Sequence, residues 1–245
     1  MALLATISRV TRFRALALVL APLALVAACG SSGSSDTTGT TGKTVTGSAP
    51  TCSYPASGQA AKAVTAPPGN PPSSNPTTMT ISTNDGDIPI TLEPSTAPCA
   101  VNSFVSLAQQ GYFNNTKCHR LTTQGYYVLQ CGDPTGTGSG GPGYSFADEL
   151  VKNDPRLQPC ASDGSVCTYN SGTIAMANAG PDTNGSQFFL VYGNSEFPPA
   201  YTVLGHMDAS GLAVVKAIAA KGIGTVGMGP GDGTPKEPVT ITSVK

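Results

Sequence analysis

The run Met176-Ala-Asn-Ala-Gly-Pro-Asp-Thr-Asn-Gly-Ser-Gln-Phe-Phe189 decides how this chain reads. No helical or strand period organises it until Gln187-Phe-Phe-Leu-Val191. Apolar residues alternate irregularly with turn formers, as in a loop that strands hold out as a binding surface. Two upstream stretches belong with it, His119-Arg120 and Gln130-Cys-Gly-Asp133.

Around these stretches the chain alternates short strand and helix signals. Thr78–Thr83 and Asp87–Glu93 alternate apolar and polar residues about Asn84-Asp85-Gly86, a hairpin turn. Thr96–Gln110 carries Val101, Phe104, Val105 and Ala108 at helical spacing, with Pro98 in its first turn and Gly111 after its end. Strands are expected near 117–122, 126–131, 172–177, 187–191 and 202–207. A second helix covers about 210–221, and Val239–Val244 is a last strand. Seven or eight short strands with one early and one late helix predict a mainly β fold: a small closed barrel capped by helices. About 170 residues suffice for its single core.

The three motifs together closely resemble those of the cyclophilins, the cyclosporin-inhibited peptidyl-prolyl cis/trans isomerases. The resemblance covers residues 77–245 and implies a closed eight-stranded antiparallel β-barrel capped by two α-helices. It implies no metal and no cofactor, and proline-containing polypeptides as partners. Arg120 and Gln130 take the catalytic positions. Tyr127, Met176, Phe189 and Leu204 are expected to form an apolar floor for proline, with Phe188 in the core. Ala177 and Asn178 resemble the edge along which an extended peptide docks. Gln187 fixes that loop, and His119, Phe197 and Tyr201 complete the substrate-binding set.

The chemistry this implies needs neither nucleophile nor metal. Rotation about X–Pro faces a barrier of about 18–20 kcal/mol, because the nitrogen lone pair is shared with the carbonyl. A charged, planar donor such as Arg120 can draw the nitrogen out of conjugation while a pocket holds the ring. A non-catalytic module that only grips peptides, as a holdase would, is the alternative reading.

The chain departs from the family pattern in places. The spacer between His119-Arg120 and Gln130 is two residues longer, Tyr127 replaces Phe, and the 150–171 loop is extended. Phe197 and Tyr201 stand where cyclosporin-sensitive members carry Trp and His, and the chain has no Trp. These changes weaken the expectation of a cyclosporin site.

Residues 1–28 read as an export signal. Arg9, Arg12 and Arg14 precede the apolar run Ala15–Leu25, which is too short to span a bilayer. It ends at Val26-Ala-Ala-Cys29, which resembles a bacterial lipobox with Cys29 as the lipidated residue; two acyl chains suffice for stable anchoring. The expected location is the outer face of the bacterial cytoplasmic membrane. Residues 29–76 form a tether, first Gly/Ser/Thr-rich, then Pro-rich from 55, with the isomerase-like domain at 77–245.

Losing the three signal arginines lowers the formal net charge from −1 to −4, and only 11% of residues are charged. No basic cluster follows, so no nucleic-acid partner is expected, and the domain is read as a monomer. Beyond Cys29 stand Cys52, Cys99, Cys118, Cys131, Cys160 and Cys167. An even number in an exported chain favours disulfides. Cys160 and Cys167 enclose an Asp163-Gly164 turn and pair readily. Strand parity argues against a Cys118–Cys131 bridge, since Cys118 would share the face of Arg120 while Cys131 points away from that of Gln130. Cys52 and Cys99 should then bridge to that pair in an undetermined order, stapling the chain to the domain from about residue 52. The glycines of 136–141 mimic a dinucleotide loop and a protease nucleophile loop, but Pro142-Gly143 follows directly and no suitable strand, helix or upstream Asp accompanies them.

Overall fold

The computed structural model describes residues 50–245. The expected signal segment, Cys29 and the Gly/Ser/Thr-rich run before residue 50 lie outside them.

The hairpin signal at Asn84-Asp85-Gly86 joins β1 (Thr78–Thr83) to β2 (Gly86–Leu92), paired antiparallel from Thr78↔Thr91 to Thr83↔Gly86. Helix α1 (Pro98–Gln109) follows, then β3 (Thr116–Lys117), β4 (Arg120–Thr122) and β5 (Tyr127–Cys131). Next come β6 (Cys167–Tyr169), β7 (Thr173–Met176), β8 (Phe188–Gly193), β9 (Ser195–Phe197) and β10 (Val203–Met207). Helix α2 (Ala209–Ala220), β11 (Ile223–Gly229), β12 (Asp232–Pro235) and β13 (Thr240–Val244) complete the chain.

In place of the eight strands expected, eleven form one continuous antiparallel order, β11-β12-β4-β5-β8-β7-β10-β2-β1-β13-β3. Its terminal strands, β11 and β3, are not neighbours in that order. A separate ribbon pairs β6 with β9. The extra strands arise from stretches without apolar alternation. Gly224, Gly227 and Gly229 dilute β11, and β12 carries Asp232, Gly233 and Pro235. Such sequences read as loops because strand signals come from packed side chains, which these strands largely lack.

The helices cover the interior. The α1 helix has no capping side chain of its own at Ala97. Its exposed N–H groups are met from afar: the Glu149 carboxylate accepts from Cys99 N at 3.0 Å and Ala100 N at 2.8 Å. At α2, Asp208 is a local cap, accepting from Gly211 N at 2.7 Å. Between helices and sheet, Phe104, Phe113 and Phe188 pack at 5.2–5.7 Å with all three fully buried.

Residues 52–76 pack on this body. Cys52 bonds to Cys99 and the Tyr54 hydroxyl donates to Cys99 O at 2.8 Å. Asn102 Nδ2 donates to Pro68 O, and Lys62 Nζ to Gly111 O. Cys160–Cys167 forms as expected.

Cys118–Cys131 also forms, against the parity argument, and with it the expectation that Cys52 and Cys99 bridge to that pair falls. Parity fails because the chain from 116 to 122 is two short strands with a break between them. Thr116 and Lys117 pair with β13, and Cys118 N still bonds Val239 O. At His119 the chain crosses over, its N–H bonding Gln130 O, and only from Arg120 does it run beside β5. Strict alternation does not survive such a crossing, so Cys118 reaches Cys131.

Candidate functional site

Register across the sheet assembles the site. Arg120 lies opposite Gln130, Gln130 opposite Phe189, Phe189 opposite Ala175, and Ala175 opposite Val203. This single row crosses β4, β5, β8, β7 and β10 on the face away from the helices. One residue along, Leu121, Leu129, Leu190 and Ile174 make the parallel row that fills the core. Because side chains alternate along a strand, membership of either row is fixed by a residue's parity.

Parity corrects three expected pocket residues. Met176 pairs with Phe188, is 1% exposed and belongs to the core, as does the fully buried Leu204. Neither lines the site cavity; their chain neighbours Ala175 and Val203 pack with Phe189 on that side instead. Tyr127 is 37% exposed and stacks edge-on against Tyr192 at 5.8 Å. Tyr126 takes the pocket position, two steps from Val128 and four from Gln130 along one face. That alternation was available in the sequence; the two-residue longer spacer drew the alignment to the wrong tyrosine.

Seven of the remaining expected residues, Arg120, Gln130, Ala177, Asn178, Phe189, Phe197 and Tyr201, line a cavity of about 120 Å³ together with Tyr126 and Val128, whereas His119 and Gln187 stand outside its lining. Its walls are aromatic. Phe197 lies 5.1 Å from Tyr126, 5.8 Å from Phe189 and 5.8 Å from Tyr201, ring centre to ring centre. Tyr169, fully buried behind them, donates its hydroxyl to Tyr201 O at 3.2 Å. Phe197 sits on β9, whose partner β6 places Cys167 opposite it. The extended 150–171 loop thus ends against the back of this wall.

At one side of the cavity the Arg120 guanidinium is held from three directions. Nε and Nη2 donate to the Asp232 carboxylate at 3.0 and 2.7 Å, Nη2 to the Tyr126 hydroxyl at 2.9 Å, and Nη1 to Gln130 Oε1 at 3.3 Å. A guanidinium has five N–H groups. Four are engaged among the described residues, which leaves one Nη1 N–H beside the cavity. The hydrogen bonds to Asp232 raise the Arg120 pKa further, so the charge is permanent. Asp232 and Tyr126 had no signal in the motifs. Asp232 lies in a glycine-rich stretch 112 residues downstream, and only the β12–β4 pairing brings it here.

Gln130 passes the contact on. Its Nε2 donates to Gln187 Oε1 at 3.0 Å, and Gln187 Nε2 donates to Gly138 O and Gly140 O at 2.9 and 3.0 Å. Gln187 therefore fixes the glycine-rich 136–141 loop by its side chain, and meets Ala177 N only through its backbone carbonyl. That loop is wrapped around Asp133, which accepts from the N–H groups of Thr135, Thr137, Gly138 and Gly140. A Cβ at Gly140 would lie 2.0 Å from Asp133 Oδ1, so only glycine permits the wrap. Burial pushes the Asp133 carboxyl up, but the donors outweigh it and its pKa falls below the usual range. His119 lies against Gly138 of the same loop, and among the described residues neither ring nitrogen has a hydrogen-bond partner. Asn178 donates to Ala200 O and Asp148 Oδ1, holding the loop after β7.

Residues 78–245 match the family model described as "Cyclophilin type peptidyl-prolyl cis-trans isomerase/CLD". The chain belongs to the cyclophilin family. It is 50% identical over 204 residues to the "Probable peptidyl-prolyl cis-trans isomerase B" of Mycobacterium leprae, across 79% of this chain and 66% of that one. The Mycobacterium tuberculosis protein of the same name is 48% identical over 202 residues, 79% of this chain and 63% of its own. This cyclophilin thus spans just under two thirds of the length of these two relatives. The "Peptidyl-prolyl cis-trans isomerase A" of M. tuberculosis is 38% identical, over 68% of this chain and 90% of that one. Among solved structures, a Cryptosporidium parvum cyclophilin-type isomerase aligns with TM-score 0.54 and 29% identity, over 69% of this chain and 95% of that one. A second structure of it, solved in the presence of the dipeptide Ala-Pro, aligns with TM-score 0.53 and 30% identity, over 68% of this chain and 96% of that one.

Proposed function

We propose that this cyclophilin catalyses cis/trans rotation of X–Pro bonds in exported proteins. One observation carries the reading: the tethered Arg120 guanidinium keeps an N–H beside a small aromatic cavity floored by Phe189. The prolyl ring enters between Phe189, Phe197 and Tyr126. Gln130 keeps a second Nε2 hydrogen for the substrate carbonyl, and Arg120 offers its remaining donor to the pyramidal nitrogen of the twisted amide. That hydrogen bond exists only when conjugation is broken, so it stabilises the transition state selectively. Uncatalysed exchange takes about 10–100 s. Reaching milliseconds asks for roughly 5–7 kcal/mol, at 1.36 kcal/mol per decade.

The test is a protease-coupled proline-peptide assay of the chain against Arg120→Ala. The wild type should accelerate isomerisation and the variant should lose at least a hundredfold. Equal rates for both and for buffer would leave only a peptide-gripping module. Phe197 and Tyr201 at the rim support weak inhibition by cyclosporin at most.

The location belongs to the same proposal. The apolar run ending at Val26-Ala-Ala-Cys29 supports lipidation of Cys29 and anchoring to the outer face of the cytoplasmic membrane, with the domain acting as a monomer. Mass spectrometry of the mature N-terminus checks this: a diacylglyceryl-modified Cys29 is expected, and an unmodified or absent Cys29 overturns it.

A further inference from the structure

A second, larger cavity of about 640 Å³ adjoins the aromatic one, and the two share Gln130, Ala177 and Asn178. It is lined by the glycine-rich 138–142 loop and, beside that loop, by Ser57, Gly58 and Gln59. Those three residues lie upstream of the family match, which begins at residue 78. They are built in. Ser57 N donates to Gly143 O and Ala61 N to Gly141 O, both at 2.9 Å, while Ser145 N donates back to Pro55 O at 3.0 Å. Ala56 forms an antiparallel bridge with Tyr144, and the Cys52–Cys99 bond anchors the segment just before it. Gly58 has φ +68, a turn conformation that bends the chain at the cavity edge.

We propose that residues 57–59 are a specificity wall for the substrate, reading the side chain of a residue that flanks the X–Pro pair. This rests on the isomerase reading of the same site. A peptide extended along Ala177 and Asn178 with its proline against Phe189 must lay a neighbouring side chain over the second cavity, since the two cavities meet at those residues. Among the described residues no Asp, Glu, Lys or Arg lines that space; its surface mixes hydroxyls, amides and the backbone of the glycine loop with the apolar Pro142, Ala177 and Ala179. An uncharged polar side chain finds partners there, whereas a charged one gives up hydration for no counter-ion. Occupancy bears on the chemistry through the bonds already described, from the glycine loop through Gln187 and Gln130 to Arg120.

The proposal is tested by kcat/KM on peptides that share Ala-Pro and differ in having Gln, Lys or Glu at each of the two positions on either side. The wild type should prefer Gln over both charged residues at one position. Gln59 is exposed, so charge reversal there does not disturb packing. At that position Gln59→Glu should raise the Lys/Glu ratio about threefold and Gln59→Lys lower it about threefold, as for an exposed ion pair. The spread should shrink in 0.5 M salt. Active wild type whose Lys/Glu ratio is unmoved by either variant at every position overturns the specificity wall and leaves the isomerase intact. Inactive wild type on every peptide removes both.

Discussion

Asp232 holds Arg120 by two atoms of each side chain, Nε to Oδ1 at 3.0 Å and Nη2 to Oδ2 at 2.7 Å, across 112 residues of sequence. Both side chains are about four-fifths buried, at 24% and 15% exposure. The pair therefore does more than a surface ion pair would: it sets the plane of the guanidinium while Tyr126 and Gln130 take its other donors.

Replacing Asp232 with Ala removes that plane and should lower kcat/KM about tenfold, by roughly 1.4 kcal/mol. Because Asp232 acts through Arg120, the double variant with Arg120→Ala should be no slower than Arg120→Ala alone. Losses that multiply in kcat/KM would mean that Asp232 acts on the substrate independently.

The two adjacent tyrosines separate by face. Tyr126→Ala should cost about a hundredfold in kcat/KM, since it removes both a wall of the cavity and an acceptor for Arg120 Nη2. Tyr127→Ala should leave kcat/KM within about twofold, since that side chain lies outside against Tyr192. An assay of the two variants side by side checks the strand's parity directly.

The same parity explains what could be read in advance. The row Arg120, Gln130, Phe189 and the strands beneath it follow from apolar alternation and three dense motifs. Met176 and Leu204 were misplaced because an apolar residue in a strand looks alike whether it faces core or site; only register tells. Asp232 could not be found at all, since a lone acid among glycines gains its meaning from β12 lying beside β4. Nor could the Cys118–Cys131 bridge, which needs the break at His119 that ends one strand and starts another.

The Cys52–Cys99 bond closes 47 residues of chain. Loop-closure entropy for that length gives about 4 kcal/mol. Removing both sulfurs, as Cys52→Ser with Cys99→Ser, should lower Tm by about 8–16 °C for a domain of this size. The 52–62 segment should then become the first site of limited proteolysis. A Tm unchanged within 2 °C would show that packing alone seats the segment.

His119 gives the domain an acid sensitivity of defined sign. Burial against the glycine loop and the nearby Arg120 charge lower its pKa from the usual value, against the pull of Asp133. The folded chain therefore binds its proton less readily than the unfolded chain does. As pH falls below the ordinary histidine pKa of about 6.5, unfolding takes up a proton that the native state refuses, and stability declines. The decline ends once pH passes below the depressed native value, where both states are protonated. His119→Asn cannot titrate, so urea midpoints for this variant should stay flatter between about pH 6.5 and 5 than those of the wild type. Parallel curves for the two proteins over that interval would assign the acid sensitivity to other groups.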